Sequence, residues 1–316
     1  MPKASFNHRF FWRALAVLLG AAGLAWGVHW AQMRRHASGQ LARADAAERD
    51  GDHKELLASL SRYLDFKPED TPARARYGIA LARHARTAAA RQKALQVLAT
   101  VLLRDSRQSE ARAVAASLAL DLGEPGDALR YLEPALEAFP QRADWHELHS
   151  RIREAAGQHL HAAASLQKVL ELEPGNVPAS ARLAELLHSR LRQTGQAERV
   201  LDEMVKKASD RPAALVARAR YRARHGQPEE AEADLKRAIE EDEKRAEARM
   251  ELARLSAERG HLDEAAVQWR AAARLAPDDP EAWLSLAWTE RERGDLPAAA
   301  AELEKGLERL KDHPGL

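Results

Sequence analysis

The sequence predicts an all-α fold: a right-handed solenoid of eight helical hairpins, preceded by one transmembrane helix. Three observations carry this. Apolar residues recur three and four apart on segments of about 14 residues, the period of an amphipathic helix. The pattern returns with a period of about 34 residues between positions 37 and 313. An uncharged apolar run, 14–33, stands before it.

In chain order, residues 1–13 form a short basic tail carrying Lys3, Arg9 and Arg13. Residues 14–33, ALAVLLGAAGLAWGVHWAQM, would span about 30 Å as a helix, the thickness of a bilayer's hydrocarbon core. Phe10, Phe11 and Trp12 stand at one end and Trp26 and Trp30 at the other, where amphipathic rings favour the two interfaces. Arg34 and Arg35 stop the segment, and His29 lies near its end as an interfacial residue. A cleavable secretory signal is the competing reading. The run is long for that, ends in Trp and offers no convincing Ala-x-Ala site, which favours an uncleaved single-pass anchor. Lys3, Arg9, Arg13 and the amino terminus outweigh Arg34 and Arg35, so the expected orientation keeps the N-terminus inside and the repeats outside the cytoplasmic membrane. Abundant Ala and Arg suggest a GC-rich bacterial genome, which would make that side the periplasm.

The repeat is clearest in 246–279. Counting Ala246 as position 1, small residues Ala253, Ala265 and Ala272 fall at 8, 20 and 27, where two helix backbones must approach to about 8–10 Å. Gly260, at position 15, ends the first helix and Pro277 cannot continue the second. The same frame gives 37–70, 71–108, 109–142, 143–176, 177–211, 212–245, 246–279 and 280–313, with 314–316 as a tail. Position 8 is always small: Ala44, Gly78, Ala116, Ser150, Ala184, Ala219, Ala253, Ala287. Position 24 is Leu in every copy but one, where it is Trp269. This pattern resembles the tetratricopeptide repeat (TPR) family over nearly the whole array.

The ends of the array differ. Gln40 and Arg43 make the first helix more polar than its counterparts, as expected of a cap. Four extra residues around 87–91 and one near 191–194 fall at turns between helices, where they should lengthen surface loops. The last repeat ends on Ala300, Leu303, Leu307 and Leu310, an apolar face without a following repeat. Such a face is expected to meet a partner, further repeats or a second copy, so self-association through this end is open.

Composition excludes several kinds of chemistry. A net charge of +1 lacks the basic excess that phosphate neutralisation needs, and the absence of cysteine removes thiol nucleophiles, disulfides and thiolate metal sites. His146-Glu-Leu-His149 is one residue short of the His-Glu-x-x-His zinc spacing, and repeat phase puts both imidazoles inside a hairpin. No phosphate loop, serine elbow or nucleophile–base pair stands out. The expectation is no enzyme, no cofactor and no metal.

The resemblance implies a groove lined by positions 2, 5, 9, 12 and 13 of the first helices. Here these include Arg151 and Glu154, Glu185 and His188, Arg220 and Arg224, Met250, Arg254 and Glu258, then Leu284, Trp288 and Arg291. Arg220, Arg224 and Arg254 suit a carboxylate or phosphate on a partner, and Trp288 and Met250 suit an apolar anchor. The Lys/Asn carboxylate clamp of chaperone-binding relatives is absent, since Asn7 and Asn176 are the only asparagines. Position 5 runs Leu41, Ala75, Ala113, Glu147, Ala181, Val216, Met250, Leu284, which is not the base-reading code of pentatricopeptide RNA binders. The expected function is a membrane-anchored scaffold or adaptor for protein or peptide partners, with no nucleic acid. The alternative is a non-catalytic subunit of a machine that makes or exports envelope polymer, docking an enzyme through the last repeat.

Overall fold

The computed structural model describes residues 35–310, and all of their regular structure is helical. The expected transmembrane segment, 14–33, lies outside the described residues, as do the tails 1–13 and 314–316. Among the described residues no helix is long and apolar enough to cross a membrane. The chain divides into two compact units, Met1–Pro140 and Gln141–Leu316.

The first unit holds α1 (residues 35–50), α2 (His53–Phe66), α3 (Thr71–Arg83), α4 (Ala88–Arg104), α5 (Ser109–Asp121) and α6 (Pro125–Ala138). The side chains of Asp52, Asp70 and Thr87 accept the backbone N–H three residues on, supplying donors at three helix starts with partners. Its core follows the repeat: Ala44, Leu56 and Leu60 are buried with Ala80, and Gly78 lets Leu98 lie directly against the α3 backbone. The four-residue insertion does not simply lengthen the loop. Helix α4 has 17 residues where α6 has 14, so three of the extra residues extend the helix. Ala88, Ala89 and Ala90 are strong helix formers and Thr87 caps them, so local propensity absorbs the insertion.

The second unit holds five hairpins: α7 (Ala143–Ala155) with α8 (His159–Leu172), α9 (Val177–Ser189) with α10 (Thr194–Lys207), α11 (Arg211–Arg224) with α12 (Pro228–Glu241), α13 (Ala246–Glu258) with α14 (Leu262–Leu275), and α15 (Pro280–Glu292) with α16 (Leu296–Arg309). Helices of 13 or 14 residues are marginal alone in water, so packing holds them. Each second helix packs on the first helix of the next hairpin, and first helices also touch across repeats, α9 to α11 and α11 to α13. Alanines at positions 8 and 20 permit the close approach: Ala184, Ala197, Ala219, Ala231, Ala253 and Ala265 are at most 1% exposed. Glycine stands at position 15 because the chain needs positive φ there, 77° at both Gly226 and Gly260. In the turn with one extra residue, 190–193, Arg192 adopts φ 58° instead.

Candidate functional site

First helices α7, α9, α11, α13 and α15 carry every groove residue named from the sequence. They fall into a charged stretch and an apolar one. On α7, Arg151 is exposed and Glu154 pairs with Arg182 of α9 at 2.8 Å. On α9, the Glu185 carboxylate accepts from Arg224 at 3.1 Å and meets His225 at 3.2 Å. Arg220 pairs with Glu247 and Glu251 at 2.8 and 2.6 Å, and Arg254 with Glu251 and Glu281 at 2.6 and 2.5 Å. Burial works against the charges on Arg220 and Arg254, but these carboxylates outweigh it and raise both pKa values.

The arginines read as open anion receptors are therefore already engaged. Position 9 of one repeat faces position 2 of the next, so Arg220 meets Glu247 and Arg254 meets Glu281. Together they line a recess of about 350 Å³ whose apolar floor includes Ala219, Ala223 and Leu255 and whose rim carries Arg220, Arg224, Glu251, Arg254 and Glu258. A ligand there must either offer both signs of charge or take an arginine from its glutamate.

Beyond Arg254 the groove turns apolar. Trp288 and Leu284 on α15 are 47% and 48% exposed, while Met250 is half-buried against Ala272 and Ala273. Arg291 turns to its neighbour Glu292 at 2.8 Å. Trp288 occupies position 9, the place held by Glu185, Arg220 and Arg254 in the preceding repeats, so one line of the groove changes from ionic to aromatic.

Sequence reasoning missed an aromatic cluster beside the charged stretch. Tyr221, buried at position 10, bonds His188 Nδ1 at 2.8 Å, and the His188 ring stacks on His225 with centroids 3.7 Å apart. Burial and the nearby Glu198 and Glu185 push the Tyr221 phenol up to about 12. Position 14 varies between repeats, so nothing in the pattern singled out His225; the signal was its place, two positions beyond a full repeat from His188.

His149 lies inside its hairpin. Arg153 Nε donates to its Nε2 at 3.1 Å, leaving Nδ1 to donate to Ser165 Oγ at 2.9 Å, and that hydroxyl donates to the His161 carbonyl. Among the described residues no group of histidines and carboxylates is arranged to hold a metal ion.

At the far end, Ala300 is exposed and Leu303 and Leu307 are 39% and 50% exposed. Leu310 is not part of that face. It is 7% exposed, because it continues the inward stripe of Ala299, Glu302 and Gly306; the exposed stripe begins instead at Leu296, 64% exposed.

A tetratricopeptide repeat model matches residues 91–152, 154–221 and 223–268, more than half of the chain, and a second tetratricopeptide repeat model matches 252–314. No curated protein matches the sequence. Among solved structures, the chain is similar to a tetratricopeptide repeat protein from Parabacteroides merdae ATCC 43184, with a TM-score of 0.56 and 18% identity over 81% of this chain and 99% of that one. It is also similar to MamA protein, with a TM-score of 0.50 and 16% identity over 54% of this chain and 91% of that one. These likenesses concern the fold. With the helical hairpins, the small residues at their crossings and the matched repeats in agreement, the chain belongs to the tetratricopeptide repeat family.

Proposed function

We propose that this protein is a non-catalytic scaffold, held at a membrane by residues 14–33, that binds a helix or extended segment of a partner protein along the α9–α15 groove. The observation that carries the reading is the line Glu185, Arg220, Arg254, Trp288: a balanced ionic ladder leading to an exposed tryptophan beside exposed Leu284. Aromatic side chains in a recess are the usual energetic centres of protein interfaces, and a charged rim sets orientation. The absence of charge over 14–33, with aromatic residues at both ends, supports the anchor, and the weak basic bias before it supports repeats on the periplasmic side.

The test is site-specific photocrosslinking in cells. A crosslinking residue at position 288 should trap a discrete partner, while one at Val267, 57% exposed on α14, should not. Equal labelling from both positions would sink the groove reading. Resistance of the full chain to alkaline extraction, lost when 14–33 is deleted, tests the anchor separately; protease access to a C-terminal tag in intact spheroplasts tests the side.

A further inference from the structure

The α16 end repeats a surface that the chain elsewhere uses as an interface. On α14, Ala266 and Trp269 at positions 21 and 24 are buried with Leu286, position 7 of the next repeat. Ala272 and Ala273, at 27 and 28, pack with Ala282 at position 3. On α16 those positions are Ala300, Leu303, Gly306 and Leu307. Position 24 is at most 3% exposed in the seven preceding repeats and 39% exposed at Leu303.

In two repeats position 25 carries an ionic contact to the following repeat. Asp202 accepts from Arg218, position 7 of the next repeat, at 2.7 Å; Arg270 pairs with Glu290, position 11 of the next, at 2.5 Å. On α16 position 25 is Glu304, which is exposed. By the α10–α11 example, where position 25 is also acidic, a helix that covers this end carries a small residue at position 3 and a base at position 7.

Helix α1 fits that description. Its position 3 is Gly39 and its position 7 is Arg43, both exposed, and Ala46 follows at position 10. The internal example is Leu201–Asp202 meeting Arg218, with Ala214 at position 3. Leu303–Glu304 and Arg43 reproduce those residue types at the same positions. The polar first helix, expected as a cap, is thus also a complement to the last.

We propose that the α16 end of one chain stacks on α1 of a second copy, continuing the repeat, with Glu304 of one copy paired to Arg43 of the next. The contact is heterologous, so copies join head to tail into a ring or a linear array.

Sedimentation velocity of the full chain in detergent should show mass rising with concentration. Glu304→Arg places like charges together and should weaken association roughly tenfold or more, and adding Arg43→Glu to that variant should restore it. A wild-type chain that stays monomeric at all concentrations, or a charge swap without rescue, overturns the proposal. Because the chain has no cysteine, oxidation gives a second readout. The double variant Arg43→Cys/Glu304→Cys should form a ladder of dimers and larger species that neither single variant forms. Dimers from Glu304→Cys alone would mean tail-to-tail contact and also overturn it. Both residues are exposed, so folding, checked by circular dichroism, should be unaffected.

Discussion

Replacing Asp234 with Ala should destabilise the second unit by about 3 kcal/mol. Asp234 lies on α12 with its side chain 6% exposed, and takes three charge-assisted hydrogen bonds: Arg218 Nη2 at 2.6 Å, Arg218 Nε at 2.8 Å and Arg222 Nη1 at 2.7 Å. The two arginine side chains are themselves only 13% and 17% exposed, and Arg222 Nε already lacks an acceptor. Burial works against the charge on Arg218, but Asp234 and then Asp202 outweigh it and raise its pKa. Without Asp234 the two largely buried like charges lose their shared acidic partner. Breaking one partner of a buried pair costs about 3–5 kcal/mol, and the low end applies because half-exposed Asp202 still holds Arg218. Urea unfolding followed by circular dichroism would show a lower midpoint, with hydrogen exchange reporting whether α11 and α12 open first, since repeat arrays need not unfold in one step. The triple variant Arg218→Met/Arg222→Met/Asp234→Leu should lie within about 1 kcal/mol of wild type, because it removes all three buried charges instead of stranding any of them. A loss below about 1 kcal/mol for Asp234→Ala would refute the reasoning and mean that water screens the network.

Three further outcomes follow from the same geometry. Leu201→Ala, fully buried at position 24, should cost about 2–5 kcal/mol in urea unfolding, whereas Leu303→Ala at the same position of the last repeat should cost under about 1 kcal/mol. Gly78→Ala should destabilise the first unit by about 1–3 kcal/mol, because the new Cβ would lie 2.6 Å from Leu98 Cδ2; the companion change Leu98→Val should recover part of the loss in a thermal melt. Tyr63 and Tyr221 are pushed up to about 12, Tyr63 by its hydrogen bond to Asp70 and Tyr221 by burial. A folded pKa above the unfolded value gives stability that is whole below about pH 10 and is lost as pH climbs from there through about 12. Tyrosinate absorbance should therefore show a late component that shrinks in Tyr63→Phe and in Tyr221→Phe.

The repeat was legible because size is the constraint that survives divergence. A helix crossing at position 8 admits Ala, Gly or Ser and nothing longer, so the period shows through eight copies that share little else. Electrostatic partners were much less visible. Arg220 and Arg254 read as receptors because each lies on an exposed helix face, yet Glu247 and Glu281 belong to the following repeat, a separation in sequence that becomes contact only once the stacking of first helices is known. Knowing that position 9 faces position 2 of the next repeat would have paired Arg220 with Glu247 and Arg254 with Glu281 in advance. The insertion at 87–91 follows a different rule: packing tolerates added residues in a loop there, but three consecutive alanines behind a Thr cap favour helix. Leu310 shows the limit of the period itself. Residues 303, 307 and 310 are spaced as one face, but a helix advances about 100° per residue, so Leu310 lies about 60° round from Leu307, on the edge that turns inward with Gly306 toward Trp283. Apolar spacing names a stripe, and only the neighbouring helix decides which edge of that stripe stays in water.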